Sequence, residues 1–367
     1  MEARIVSYAQ RLKEAVQYAI DTNYSIWNRQ NEIRKEIYSH KNVCVFGTGE
    51  FFDDCADDEH LLRFEYCADN NPQKWGKVYK GRKCLSPAEI AKMDDMVVII
   101  MIGNWKPIYK QLKEMGISCY PMDWYSLNVY DEHYSAKWFT EKKNVIIESL
   151  HLLDDEDSKE VYVEAICNRI APHLAKKTFN DIKIPGEYFE SDVFGMDKNE
   201  YLVDAGAYKG DSIKKFYEIV KGKYSGIYAF ELDPSMFKEL KENVQRYGYG
   251  DVELFNYGVS DSYEEFDYNY VHGEEGHQAK VNALDYMLEG KKVTYIKMDV
   301  ETYELKALEG ARNIIGCQHP KLCISAYHYL SDLWEVPIKI HNINKNYRLF
   351  LRHHSPVVWD TDCYAVY

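Results

Sequence analysis

The chain lacks every cysteine arrangement that marks a metal-stapled or disulfide-stapled protein. Its nine cysteines, at 44, 55, 67, 84, 119, 167, 317, 323 and 363, are scattered without a C-x-x-C pair or a zinc spacing. An odd, dispersed set fits a reducing compartment better than a disulfide scaffold. Long apolar runs are missing too. The longest, MVVIIMI at 96–102, is far short of the ~20 residues a helical membrane span needs. Positive charge is scarce beside negative, with 45 Lys and Arg against 59 Asp and Glu and a formal net charge of −14. That balance argues against a nucleic-acid partner held chiefly through phosphates. The opening MEARIVSYAQRLKEAV is charged throughout and has no apolar core, unlike a secretory signal. These absences lead us to expect a soluble, cytoplasmic protein with no membrane span.

What is present is organised in blocks. Ile5, Tyr8, Ala9, Leu12, Val16, Ala19 and Ile20 recur at helical spacing, and a second helix runs to Tyr38. Residues 1–40 therefore read as a helical segment, either a cap on the next domain or a hairpin through which copies of the chain form a homo-oligomer. From 41 to 125 the period changes. NVCVFG, RFEYCADNNP, DDMVVIIMIGNW and GISCYPMDW read as strands alternating with helices, a small Rossmann-like domain. Residues 126–198 read as a helical connector and cap. Within it, DDEDSKEVYVEAICNRIAPHLAKK opens with acids suited to a helix start, Asp157 and Glu160 being spaced as a capping pair. Over 199–367 the alternation returns in EYLVDA, SGIYAFEL, VELFNYGVS, VTYIKMDV and PKLCISAYH. YRLFLRHH and DCYAVY then follow in succession, as a terminal hairpin would. The expected fold class is α/β, with two Rossmann-like parallel-sheet domains.

Two glycine turns compete for a ligand. In FGTGEFF, Gly47 and Gly49 begin a G-x-G-x-x-G pattern, but Phe52 stands where the third glycine would let a helix pack closely. Asp69 ends the next strand, where an acid can take ribose hydroxyls. In YLVDAGAYKGDS, Asp204, Gly206 and Gly210 are followed by Asp211. A pyrophosphate would meet two carboxylates there at an electrostatic cost, whereas a nucleoside with a cationic end would not. S-adenosylmethionine has that chemistry. Glu231 at the tip of the next strand is placed to accept both ribose hydroxyls. Asn256, Gly258 and Val259, after the third strand, would lie against adenine.

In YLVDAGAYKGDSIKKF, YAFELDP, YIKMDVETYELKALEGA, PKLCISAYHYLSDLWEVP and YRLFLRHHS, taken in order, the chain resembles the FkbM-type family of S-adenosylmethionine-dependent methyltransferases over roughly 150–367. The resemblance implies a class I methyltransferase fold for 199–367, a seven-stranded sheet with an antiparallel last strand. It also implies S-adenosylmethionine as methyl donor and, for many members, a hydroxyl of a sugar or polyketide as acceptor. Two departures stand out: Thr302 and Tyr303 replace a glycine and a small residue after Asp-x-Glu, and WDTDCYAVY is more polar than the usual closing strand. The N-terminal 125 residues lie outside the family core and resemble, more loosely, Rossmann-like domains ahead of some sugar-modifying enzymes.

Attack by a hydroxyl on a sulfonium methyl needs alignment and a proton acceptor. His328, after the fifth strand, is the first candidate base, since histidine titrates near neutrality. Asp299 closes the fourth strand and is expected near the methyl or the methionine end of the donor. Glu301 would orient the acceptor, and Lys297 would stabilise its charge or neutralise Asp299. Glu304 reads as a first-turn acid complementing a helix dipole. Asp299, Glu301 and His328 would also suit a divalent cation, though no residue is assigned as a metal ligand. His353 and His354 read as structural. The expected activity is O-methyl transfer to a small molecule or glycan. The alternatives are a nicotinamide-dependent sugar-nucleotide enzyme built on Gly47, Gly49 and Asp69, or a non-catalytic module that binds S-adenosylmethionine or a nucleotide.

Overall fold

A computed structural model of the chain describes residues 2–23, 26–49, 52, 64–124, 134–189, 192–268 and 277–367. The chain divides into two compact units. The first comprises Met1–Asn144, Val163–Lys183 and Ser355–Val358, and the second Val145–Tyr162, Ile184–His354 and Trp359–Tyr367.

The first unit opens with the helices Glu2–Asp21 and Ile26–Ser39. Leu12, Val16 and Ala19 of the expected apolar stripe are fully buried. Six strands follow: β1 (Asn42–Phe46), β2 (Tyr66–Ala68), β3 (Val78–Tyr79), β4 (Arg82–Leu85), β5 (Met96–Ile100) and β6 (Ser118–Pro121). Their order is β3-β4-β2-β1-β5-β6, and every pairing is parallel except β3 with β4. Every residue of β5 is buried, as an unbroken apolar run in a sheet covered on both faces should be.

The second unit is a larger sheet. Its strands are β7 (Tyr201–Ala205), β8 (Gly226–Phe230), β9 (Val252–Phe255), β10 (Gly258–Val259), β11 (Glu264–Tyr268), β12 (His277–Asn282), β13 (Tyr295–Met298), β14 (Lys321–Ser325), β15 (Arg348–His353) and β16 (Thr361–Val366). Seven of them pair in the order β15-β16-β14-β13-β7-β8-β9. Only β16 runs antiparallel to its neighbours, so the expected terminal hairpin and reversed last strand are both present. A separate three-stranded sheet, β10-β12-β11, was not foreseen. VELFNYGVS is two strands, β9 and β10, and EEFDY with HQAKVN forms an antiparallel pair. Their charged and polar composition hides the strand signal.

Helix boundaries follow local chemistry. Asp233 caps Pro234–Tyr247 by accepting from Ser235 N at 2.8 Å and Met236 N at 3.0 Å, and Gly248 ends that helix at φ +68°. For the helix Glu156–Ile170 the expected Asp157–Glu160 pair is corrected. Asp155 does the capping, accepting from Ser158 N at 2.8 Å, because it stands just ahead of the first turn.

Strand order reverses at β7, which has β8 on one side and β13 on the other. A crevice opens outside the carboxyl ends of strands at such a switch point, and ligands of open α/β sheets bind there.

Candidate active site

The turn after β7 has no room for a side chain at its first glycine. Gly206 sits at φ +77°, and a Cβ on it would lie 1.7 Å from the Asp299 carbonyl oxygen. Gly206 N and Ala207 N both donate to Phe230 O, at 3.0 and 2.9 Å, which ties the turn to the end of β8. Gly210, at φ +89°, precedes the helix Asp211–Ile219, with Asp211 exposed at its first position. Asp204 lies beneath this turn, fully buried. It accepts a hydrogen bond from Ser212 Oγ and stands 3.2 Å from Lys297 Nζ, which itself donates to Gly206 O at 2.7 Å. Asp204 thus shapes the turn from below, its carboxylate engaged by Ser212 and Lys297. Burial disfavours charge on Lys297, but Asp204 and Asp299 outweigh it and hold the lysine above its ordinary range. Lys297 is thus engaged by Asp204 and the turn and offsets the charge on Asp299, the second of its two expected roles.

Glu231 follows β8 and is 9% exposed. Its Oε2 accepts from Tyr208 N and its Oε1 from Asp233 N, both at 2.8 Å, leaving each oxygen a further lone pair. Burial lifts its pKa to about 7, against the opposing pull of those backbone N–H groups and Lys297. The Asn256 amide donates to Glu231 O at 2.9 Å and to Leu232 O at 3.2 Å, so it braces this strand end. A Cβ on Gly258 would meet Val281 Cγ1 at 2.9 Å, and Val259 is buried. All the residues assigned to donor binding therefore gather at adjacent strand ends. Asp204, Asn256 and Val259 act there as supports.

Across the switch point, Asp299 follows β13 and donates its N–H to Ala205 O at 3.0 Å. Its Oδ2 accepts from Tyr188 Oη at 3.0 Å, and Tyr327 Oη stands 3.4 Å from the same oxygen. His328, 3% exposed, lies among three carboxylates. Its Nε2 is 3.5 Å from Asp299 Oδ1 and 3.3 Å from Glu301 Oε2, and its Nδ1 is 3.1 Å from Glu304 Oε1. Burial opposes charge on the imidazole, but Glu304, Glu301 and Asp299 prevail and raise its pKa well above the usual range. Glu304 is buried and accepts from Val300 N at 2.9 Å. It stands in the first turn of the helix Glu304–Gly310, as expected, and its burial against His328 is what the sequence did not show. Ligand atoms of Asp299, Glu304 and His328 lie within 4.8 Å of one another. The two carboxylates nevertheless face opposite ring nitrogens, a geometry suited to relaying a proton. Sequence reasoning missed Tyr188 and the role of Glu304. The E-x-x-E spacing of Glu301 and Glu304 held a signal for the second, while Tyr188 had none.

Next to this cluster in sequence, Glu187 lines a cleft of about 460 Å³ with Ile184, Lys215, Glu218, His354 and Asp360. Lys215 Nζ pairs with Glu187 at 2.7 Å. Burial lowers the His354 pKa and keeps the ring neutral; Nδ1 donates to Ile184 O at 3.0 Å and Nε2 accepts from Tyr364 Oη at 2.9 Å. His353 is buried, 2.8 Å from Thr361 Oγ1.

In the first unit, Gly47 at φ +110° also has no room for a Cβ, which would lie 2.5 Å from Ile102 Cγ1. Asp69, however, is occupied. Its Oδ2 accepts from Thr48 N at 3.1 Å, Thr48 Oγ1 at 2.8 Å and Lys74 Nζ at 2.9 Å. Phe52 fills the third-glycine position as a fully buried core residue, edge-on to Phe64.

Residues 204–354 match the model of the methyltransferase FkbM domain. Among solved structures, methyltransferase FkbM from Methylobacillus flagellatus KT shares the fold at TM-score 0.68 and 22% identity, covering 100% of this chain and 99% of that one. A putative rRNA-methylase from Clostridium thermocellum aligns with 47% of this chain and 88% of its own, at TM-score 0.34 and 9% identity. No curated protein matches the chain. Residues 204–354 thus carry a match to the FkbM-type methyltransferase domain, and the fold of the chain is that of a methyltransferase FkbM structure.

Proposed function

We propose that the second unit binds S-adenosylmethionine and transfers its methyl group to a hydroxyl oxygen of a sugar or glycan. The observation that carries this reading is the pairing of a bare glycine turn at Gly206 with the Glu231 carboxylate at the next strand tip. The residues fit such a nucleoside. Gly206 admits close approach of the amino-acid portion, and Glu231 keeps lone pairs for ribose hydroxyls. The one cation beneath the turn, Lys297, is already engaged with Asp204.

When bound, S-adenosylmethionine supplies the methyl that forms the new C–O bond as its C–S bond breaks, and leaves as S-adenosylhomocysteine. The chain's part is to align the acceptor and remove its proton. His328 accepts that proton at Nε2 while Glu304 holds the Nδ1 proton, an arrangement that fixes the tautomer and strengthens the base. Because its acid neighbours favour the imidazolium, the reactive neutral form grows as pH rises.

The acceptor enters beside Asp299 and Glu301, toward the cleft lined by Glu187, Glu218 and Asp360. Three carboxylates against one paired lysine repel a phosphate. The acceptor is therefore a phosphate-free glycan or sugar, and nucleotide sugars are poor substrates. Incubating the protein with S-adenosylmethionine and a panel of both classes, with S-adenosylhomocysteine release as readout, tests this. Turnover confined to nucleotide sugars would contradict it.

The nicotinamide reading is weaker because Asp69, its ribose acceptor, is bonded to Thr48 and Lys74.

A further inference from the structure

We propose that Tyr188, which precedes the matched domain, is a positioning residue of the donor site, holding the Asp299 carboxylate ready for the primary ammonium of the ligand's amino-acid end. This rests on the S-adenosylmethionine reading above.

Tyr188 is a buried aromatic at φ +67°, a backbone conformation that bulky side chains avoid. Strain of this kind persists where the surroundings impose it, and it concentrates at functional sites. Here the surroundings do impose it. Tyr188 N donates to Tyr364 Oη at 3.0 Å, and Tyr295 Oη donates to Tyr188 O at 2.5 Å. Both partners are fully buried, Tyr295 on β13 and Tyr364 on β16. Two hydroxyls from the sheet thus clamp the peptide groups on either side of one Cα.

What the clamp achieves is the placement of a phenol. Tyr188 Oη donates to Asp299 Oδ2 at 3.0 Å, and its ring centroid lies 5.1 Å from Lys297 Nζ, the group bonded to Gly206 O. The side chain therefore stands beside both Asp299 and the lysine bonded to the glycine turn. Lys297 is bonded to Asp204, and His328 Nε2 lies 3.5 Å from Asp299 Oδ1, so Oδ2, the oxygen held by Tyr188, is the one a ligand ammonium would take. A carboxylate oriented by a phenol beside bare glycine backbone recognises an ammonium group. An α-amino acid end brings one, and a plain nucleoside does not.

Two ligands separate these cases by calorimetry without any methyl acceptor. S-adenosylhomocysteine carries the amino-acid end, and 5′-methylthioadenosine keeps only the nucleoside. Tyr188→Phe, which retains the ring, should weaken S-adenosylhomocysteine about tenfold and leave 5′-methylthioadenosine within about twofold. Asp299→Asn, with Tyr188 intact, should give the same selective loss, and the double variant should be no worse than either. Equal loss of both ligands in the two single variants, or no loss of either, would overturn the assignment. So would a wild-type protein that binds the two compounds equally well. A wild-type protein that binds neither compound would instead overturn the S-adenosylmethionine reading, and this role with it.

Discussion

His328 Nδ1 lies 3.1 Å from Glu304 Oε1, with both side chains buried. An acid and an imidazole enclosed together stabilise each other's charged forms, and removing one leaves the other's charge buried. The pair joins the turn after β13 to the end of β14, so it matters to stability as well as to chemistry.

Glu304→Gln keeps the size and the bond from Val300 N but removes the charge. The folded pKa of His328 is raised above its unfolded value, so the stability it contributes is fully present below about pH 6.5 and fades as pH rises through the folded pKa. Urea denaturation should therefore show a cost of ~2 kcal/mol near pH 6 that shrinks as pH rises through the folded pKa of His328. A cost independent of pH would place the effect in packing. Ring-proton NMR should show His328 titrating lower in this variant than in wild type.

Glu231 gives a second pH dependence, in binding. Its pKa of about 7 means that the ionised carboxylate, the better acceptor for two ribose hydroxyls, is lost as pH falls through neutrality. The affinity for S-adenosylhomocysteine should fall ~10-fold between about pH 8 and pH 6. In Glu231→Gln binding should be weak and flat across that range. A wild-type affinity that does not change with pH would remove ionised Glu231 from the ribose contact.

Thr302 stands at φ +80°, next to Glu301 at φ +50°. A β-branched residue in that region is strained, and glycine is not. Thr302→Gly should raise stability by ~1 kcal/mol in urea denaturation. A loss of stability would mean that the threonine side chain contributes packing worth more than the strain.

The fold was largely legible in the sequence because strand-ending acids and glycines punctuate the β/α alternation. Asp204 with Gly206, Glu231 before an Asp-Pro helix start, and Asp299 each marked a carboxyl edge. Less legible was how a buried acid is used. The buried pairing of Asp204 was not legible, because Lys297, 93 positions on, comes to it only when β13 pairs with β7. Glu304 was legible as a first-turn acid but its pairing with His328 was not, since that partner arrives from the end of β14. Tyr188 was invisible, because its backbone conformation depends on hydroxyls of Tyr295 and Tyr364 that no local pattern announces. The hairpin of β11 and β12 was missed because its charged composition masks its alternation.

The central claim is that the Gly206 turn and Glu231 hold S-adenosylmethionine while the Gly47 turn, with Asp69 occupied, holds no dinucleotide. Calorimetric titration of the full chain with S-adenosylmethionine and, separately, with NAD tests it most directly. The account predicts saturable one-to-one binding of S-adenosylmethionine that Glu231→Ala abolishes, and no binding of NAD. Tight NAD binding with none for S-adenosylmethionine would contradict it.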